Sequence, residues 1–328
     1  YYDLHRIEWE QYQWDSSVKR SDRFNLQATS DLMDAAFVAR KLRLACLALS
    51  HQSVYKTDYD MGLLEPVLNY LTHSDLEQKP TIRLYFHCYH FLAEPGAEGH
   101  FDRFRELLYA HADILPPDEL RTLYLLAINF GIKKVNEQQG AWLRTTLDLY
   151  AHALERHLLL ENGHISRFAF NNIVAIALRL GELDWTEQFV QQHQSFLEKQ
   201  HRRSTAALNL ARVAYARRDY GTALLQLQQA ADRDVFSNLQ AKTLQLKIFY
   251  DTGEWETLES HLASMKIYIR RHARIAYQRD NYLRILLYTR LLMQVDRSHP
   301  EALAQLQARI AAEPLLTEKD WLLEQASA

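Results

Sequence analysis

The chain predicts an all-α fold, an α-solenoid of stacked antiparallel helix pairs, on three observations. Glycine (9) and proline (7) are scarce among 328 residues, far fewer than the turns of a sheet protein need. Apolar residues recur at three- and four-residue steps along most of the chain. In the last third, short turns recur at a regular spacing.

The elements follow in order. Residues 31–49 carry Leu32, Ala36, Val38, Leu42, Ala45 and Leu49 at helical steps. A second helix spans 63–71, with Pro66 in its first turn, where a missing N–H costs little. Pro80 opens a helix through Phe91, the loop at 94–99 closes it, and another helix covers 101–112. Pro116-Pro117-Asp118-Glu119 is the clearest helix start, because proline and acids suit a first turn with unpaired N–H groups and a positive dipole end. Gly140 then separates that helix from one over 141–159, and the loop 160–163 breaks the pattern. Further helices are expected at 166–180, 186–199, 204–217, 220–233, 239–251, 255–270 and 274–295. Pro300 starts one more, and Pro314 precedes a tail helix with Trp321 and Leu322. Three segments result: an irregular hairpin array at 1–160 continuous with the rest, regular repeats at 161–272, and capping helices at 273–328.

Trp185, Tyr220 and Trp255 are spaced by 35 residues, each after a short inter-helix turn. Ala223 and Leu258, Leu227 and Leu262, and Ala230 and Met265 follow the latter two at matching offsets. This resembles the tetratricopeptide (TPR) pattern, a 34-residue helix–turn–helix. The resemblance covers 168–270 well and 80–159 loosely. It departs at Ala211 and Leu246, where a glycine is usual, and at Gln188 and Gln192, where small or apolar residues are usual. It implies a right-handed superhelix whose first helices line an inner groove.

In such a groove, exposed residues recur at the repeat period. Thr205 is matched by Gln240, Arg212 by Lys247 and Tyr215 by Tyr250. This basic and aromatic row suits an acidic peptide or partner helix, so the expected function is a protein-interaction scaffold rather than an enzyme. One alternative is nucleic-acid contact through Lys266, Arg270, Arg271, Arg274 and Arg279, interleaved with Tyr268, Tyr277, Tyr282 and Tyr288. The same stretch also suits the polar outer face of a capping helix. A third reading is a helical enzyme whose site is spread over several helices without a recognisable motif.

Other chemistry is thinly represented. His87 and His90 share a helix face with His100 across a loop, but a fourth ligand is missing, so no metal is expected. No GxSxG, HExxH, Walker A or GxGxxG pattern occurs, so no cofactor and no catalytic residue is assigned. Cys46 and Cys88 read as two buried thiols of a reducing, cytoplasmic setting. The formal net charge of −3 advertises no polyanionic partner, and no apolar run reaches the ~18 residues of a membrane span. The first residue is Tyr, which suggests a start within a longer protein.

Overall fold

The computed structural model describes residues 1–18, 23–55, 57–94, 96–230, 234–272 and 279–327. Among them the chain forms sixteen α-helices, and the only strands are two of two residues each, β1 (Leu160–Glu161) and β2 (His164–Ile165). The all-α expectation holds. The chain divides into two compact units, Tyr1–Glu161 and Asn162–Ala328. No described helix is long and apolar enough to cross a membrane.

The first unit contains α1 (Tyr2–Val18), α2 (Leu26–Tyr55), α3 (Leu64–Leu71), α4 (Pro80–Ala93), α5 (Glu98–Ala110), α6 (Pro117–Asn136) and α7 (Trp142–Glu155). Pro80 and Pro117 stand at the helix starts, as their missing N–H groups favour. Glu119, in the first turn of α6, pairs with Arg43 of α2 at 2.5 Å. Ring packing fills the centre. Phe91, Phe101 and Phe104 are buried, and Trp142 meets Phe101 edge-on at 4.6 Å. Cys46 and Cys88 are buried free thiols, and burial pushes the Cys88 thiol up.

α6 and α7 touch at Gly131. A Cβ there would collide with Thr146 Oγ1 and lie 3.2 Å from its Cγ2 and 3.3 Å from its Cβ. Thr146 has no room to turn away, because it is fully buried and donates to the Trp142 carbonyl at 2.7 Å.

His87, His90 and His100 meet where α4 packs on α5. His87 Nδ1 lies 2.9 Å from His100 Nδ1, an N–H···N contact that requires one neutral acceptor. His90 stacks on His100 with centroids 4.6 Å apart and holds Glu94 Oε1 at 2.7 Å. Burial, then His100, Arg83, Arg103 and His90, push His87 down to about 4.

The second unit contains α8 (Arg167–Arg179), α9 (Leu183–His193), α10 (Lys199–Ala216), α11 (Tyr220–Gln229), α12 (Val235–Asp251), α13 (Trp255–Arg271), α14 (Arg279–Gln294), α15 (Pro300–Ala312) and α16 (Lys319–Ser327). Boundaries differ from expectation at the start of α9, at the start of α12 and most of all between α9 and α10. α9 stops at His193 and α10 starts at Lys199, because buried Leu197 is extended and Arg202 donates to the Ser195 and Leu197 carbonyls. Of the helix expected over 274–295, residues 274–278 lie outside the described residues. One apolar cluster joins α12 and α13 to all three C-terminal helices, through Leu246, Leu262, Ile285, Ile310 and Leu322.

Two outcomes follow. Gly131→Ala should destabilise the protein by about 1–3 kcal/mol despite alanine's better helix propensity, read as a drop of several degrees in the thermal midpoint of unfolding. Native His87 stays neutral below the ordinary histidine value, whereas the unfolded chain protonates there. Acidification from pH ~6.5 towards ~4 should therefore lower stability. His87→Gln should flatten that slope in urea titrations.

Candidate functional site

The second unit builds its site from three chain reversals. Gly181, Arg218 and Gly253 adopt φ of 76°, 60° and 73°. The next N–H reaches back in each case: Glu182 to the Ala177 carbonyl (3.0 Å), Asp219 to Ala214 (2.9 Å) and Glu254 to Phe249 (2.9 Å). Leu183, Tyr220 and Trp255 then open the return helices. Three residues on come Thr186, Ala223 and Leu258, and seven on come Val190, Leu227 and Leu262, all buried.

This corrects the sequence register. Trp185 is the third residue of α9, stacked on Phe189 at 5.5 Å, and not the counterpart of Tyr220 and Trp255. Leu183 holds that place, so the first interval is 37 residues and the second 35. Gln188 and Gln192 are both exposed, and neither occupies a packing position of the first hairpin.

Counting back seven residues from Glu182, Asp219 and Glu254 gives Ala175, Arg212 and Lys247. All three line a cavity of about 600 Å³, together with Tyr215 and Gln240. Tyr282 of α14 and the segment from Thr317 to Glu324 close its other side. The walls carry opposite charge: Arg179, Arg212 and Lys247 on the hairpin side, and Glu318, Asp320 and Glu324 on the C-terminal side.

The two central cations are served differently. Lys247 Nζ pairs with Glu318 Oε2 at 2.7 Å and lies 4.8 Å above the Tyr215 ring centroid. Arg212 donates to Asn209 Oδ1 at 3.0 Å and, among the described residues, meets no carboxylate within ion-pair distance. Asn209 is fully buried and donates to Asn171 Oδ1 at 2.7 Å and to the Thr205 carbonyl at 3.0 Å. Burial pushes the Arg212 guanidinium below its ordinary value, while Glu318 opposes that. The Tyr215 hydroxyl donates to Asp251 Oδ2 at 2.6 Å, and burial, then Asp251, raise its titration. Tyr282 is pushed up to about 12 by burial and then by Glu318.

The six expected groove residues thus separate. Arg212, Tyr215, Gln240 and Lys247 line the cavity. Thr205 is buried in helix packing. Tyr250 is buried too, since Trp321 stands edge-on against it at 5.3 Å and Arg297 donates to its hydroxyl at 2.9 Å. Sequence reasoning missed Glu318, Trp321 and Tyr282, which reach the cavity from a distant stretch. The sequence signal for Glu318 and Trp321 was an acidic, Trp-bearing tail helix, and Tyr282 was read only as part of the basic stretch.

The basic stretch is arranged differently from a base-stacking surface. Lys266, Arg270, Arg271 and Arg279 are exposed, and Arg274 lies outside the described residues, as does Tyr277. Tyr282 and Tyr288 are buried, and Tyr268 is half-buried with Lys242 over its ring at 5.4 Å. Arg284 is occupied by Glu313 (3.4 Å) and the Leu315 carbonyl (3.0 Å). The described cations therefore face outwards and the described tyrosines inwards. Among the described residues, no three His, Cys, Asp or Glu side chains are grouped to hold a metal ion.

The cavity offers a half-buried guanidinium beside aromatic walls, an environment in which a carboxylate forms short, charge-assisted hydrogen bonds. Comparison of the chain with protein-family models, with curated proteins and with solved structures gave no match.

Proposed function

We propose that the chain is a helical-repeat, TPR-like interaction scaffold whose second unit holds an acidic polypeptide segment in the cavity between its hairpins and α16. One observation carries this reading. Arg212 and Lys247 occupy equivalent positions in successive hairpins, and Lys247 already holds a carboxylate from a polypeptide, Glu318 of the same chain. Arg212, one hairpin earlier, meets only a neutral amide among the described residues. A partner's Asp or Glu on Arg212 continues the same series, with Tyr215 and Trp321 supplying flat apolar contact.

The cation's burial favours a charged occupant. A guanidinium removed from water without a countercharge is costly, and a partner carboxylate offsets that cost. Gln240 and Thr243 on the same wall can serve the backbone of an extended segment.

The test is fluorescence anisotropy with a labelled peptide alternating Glu and Leu, against the same peptide with Gln for Glu. The Glu peptide should bind saturably and the Gln peptide far more weakly. Arg212→Met should weaken binding by about 10- to 100-fold, the range of a charged hydrogen bond worth ~1.5–3 kcal/mol. Equal binding of both peptides, or no loss in Arg212→Met, would refute the assignment. Salt-sensitive binding of an oligonucleotide, lost on Lys266→Ala with Arg270→Ala and Arg271→Ala, would instead favour the exposed basic face of α13.

A further inference from the structure

Helix α2 of the first unit is apolar on two faces. One face packs within the unit through Ala35, Val38, Leu42, Ala45 and Cys46, all buried. The other face follows the positions 26, 30, 33, 37, 40, 44, 47, 51 and 54, alternating steps of four and three. All nine are exposed. Six of them are large and apolar: Leu26, Met33, Phe37, Leu44, Leu47 and Val54. Phe37 is 46% exposed and Leu44 51%.

That alternation is the seam of a two-stranded coiled coil, sustained for four heptads. A surface helix of a monomer has one apolar stripe, and a helix apolar all round is covered all round. A continuous exposed stripe of this length marks an interaction surface.

The charges along α2 identify what covers it. Asp31 and Asp34 lie in its first half, and Arg40 and Lys41 follow near its middle. Laid antiparallel on a second α2, with the dyad between Val38 and Ala39, the seam sets Met33 against the partner's Leu44 and Phe37 against the partner's Arg40. Asp34 then flanks the partner's Lys41, twice by symmetry. A parallel pairing would instead stack Arg40 on Arg40. A cation within a mostly apolar seam is a device that fixes register and orientation. The acidic and basic halves therefore complement a reversed copy of the same helix.

We infer that this face of α2 is a self-association surface on which a second copy of the chain packs its own α2 antiparallel. This face of α2 belongs to the first unit and shares no residue with the cavity of the second.

Light scattering of the full chain at micromolar concentration should give twice the mass of one chain. Phe37→Glu with Leu44→Glu should give a monomer with unchanged helical circular dichroism, because both side chains are exposed. Orientation is read from disulfide trapping. A mixture of M33C and L44C chains should cross-link as heterodimers, and M33C alone should not. A monomeric native chain, an association that survives the double Glu variant, or ready cross-linking of M33C alone would each overturn the inference.

Discussion

The second unit depends on one backbone constraint, the left-handed residue that ends α8, α10 and α12. At Gly181, Arg218 and Gly253 the chain leaves the right-handed helical region and turns back. The reversal is tied by the N–H that follows it, so each return helix begins at a fixed offset. The rest falls into register with it: the buried residues three and seven positions after the start of each return helix, and Ala175, Arg212 and Lys247 six positions before the left-handed residue. Two of the three turns use glycine, which reaches positive φ without cost. Arg218 reaches it with a side chain, and the return helix is compensated by Asp219, whose carboxylate accepts from the Thr222 N–H at 3.0 Å.

Much of the fold was legible because helices announce their ends chemically. Pro80, Pro117 and Pro300 all stand at helix starts. The packing positions Ala223, Leu227, Leu258 and Leu262 were readable from spacing, since burial on a return helix repeats with its turn. The first joint was misread because an aromatic ring was taken as its marker. The backbone conformation at Gly181 defines it, and Leu183 plays the part that rings play in the next two. α1 was missed because none of its residues is buried, leaving no apolar face turned inwards to betray it.

The site was half legible for a related reason. Arg212, Tyr215, Gln240 and Lys247 could be aligned because their equivalence is local, set by counting along one helix. Whether such a residue is open to solvent is a long-range matter. Tyr250 aligns with Tyr215 yet is covered, because Trp321, 71 positions later, stands on it. Periodicity shows which face a side chain takes. It carries no information about what a distant helix later lays across that face, and Glu318 was invisible for the same reason.

Asn209 has a consequence beyond positioning. Its carbonyl orients the Arg212 guanidinium through a neutral dipole fixed by Asn171 and the Thr205 carbonyl. The positive charge is thereby aimed without being cancelled, while Glu318, Asp320 and Glu324 stand across the gap. An electric field thus runs from one wall to the other, and it would orient a guest with unlike ends one way round, as a magnet seats in a keyed slot.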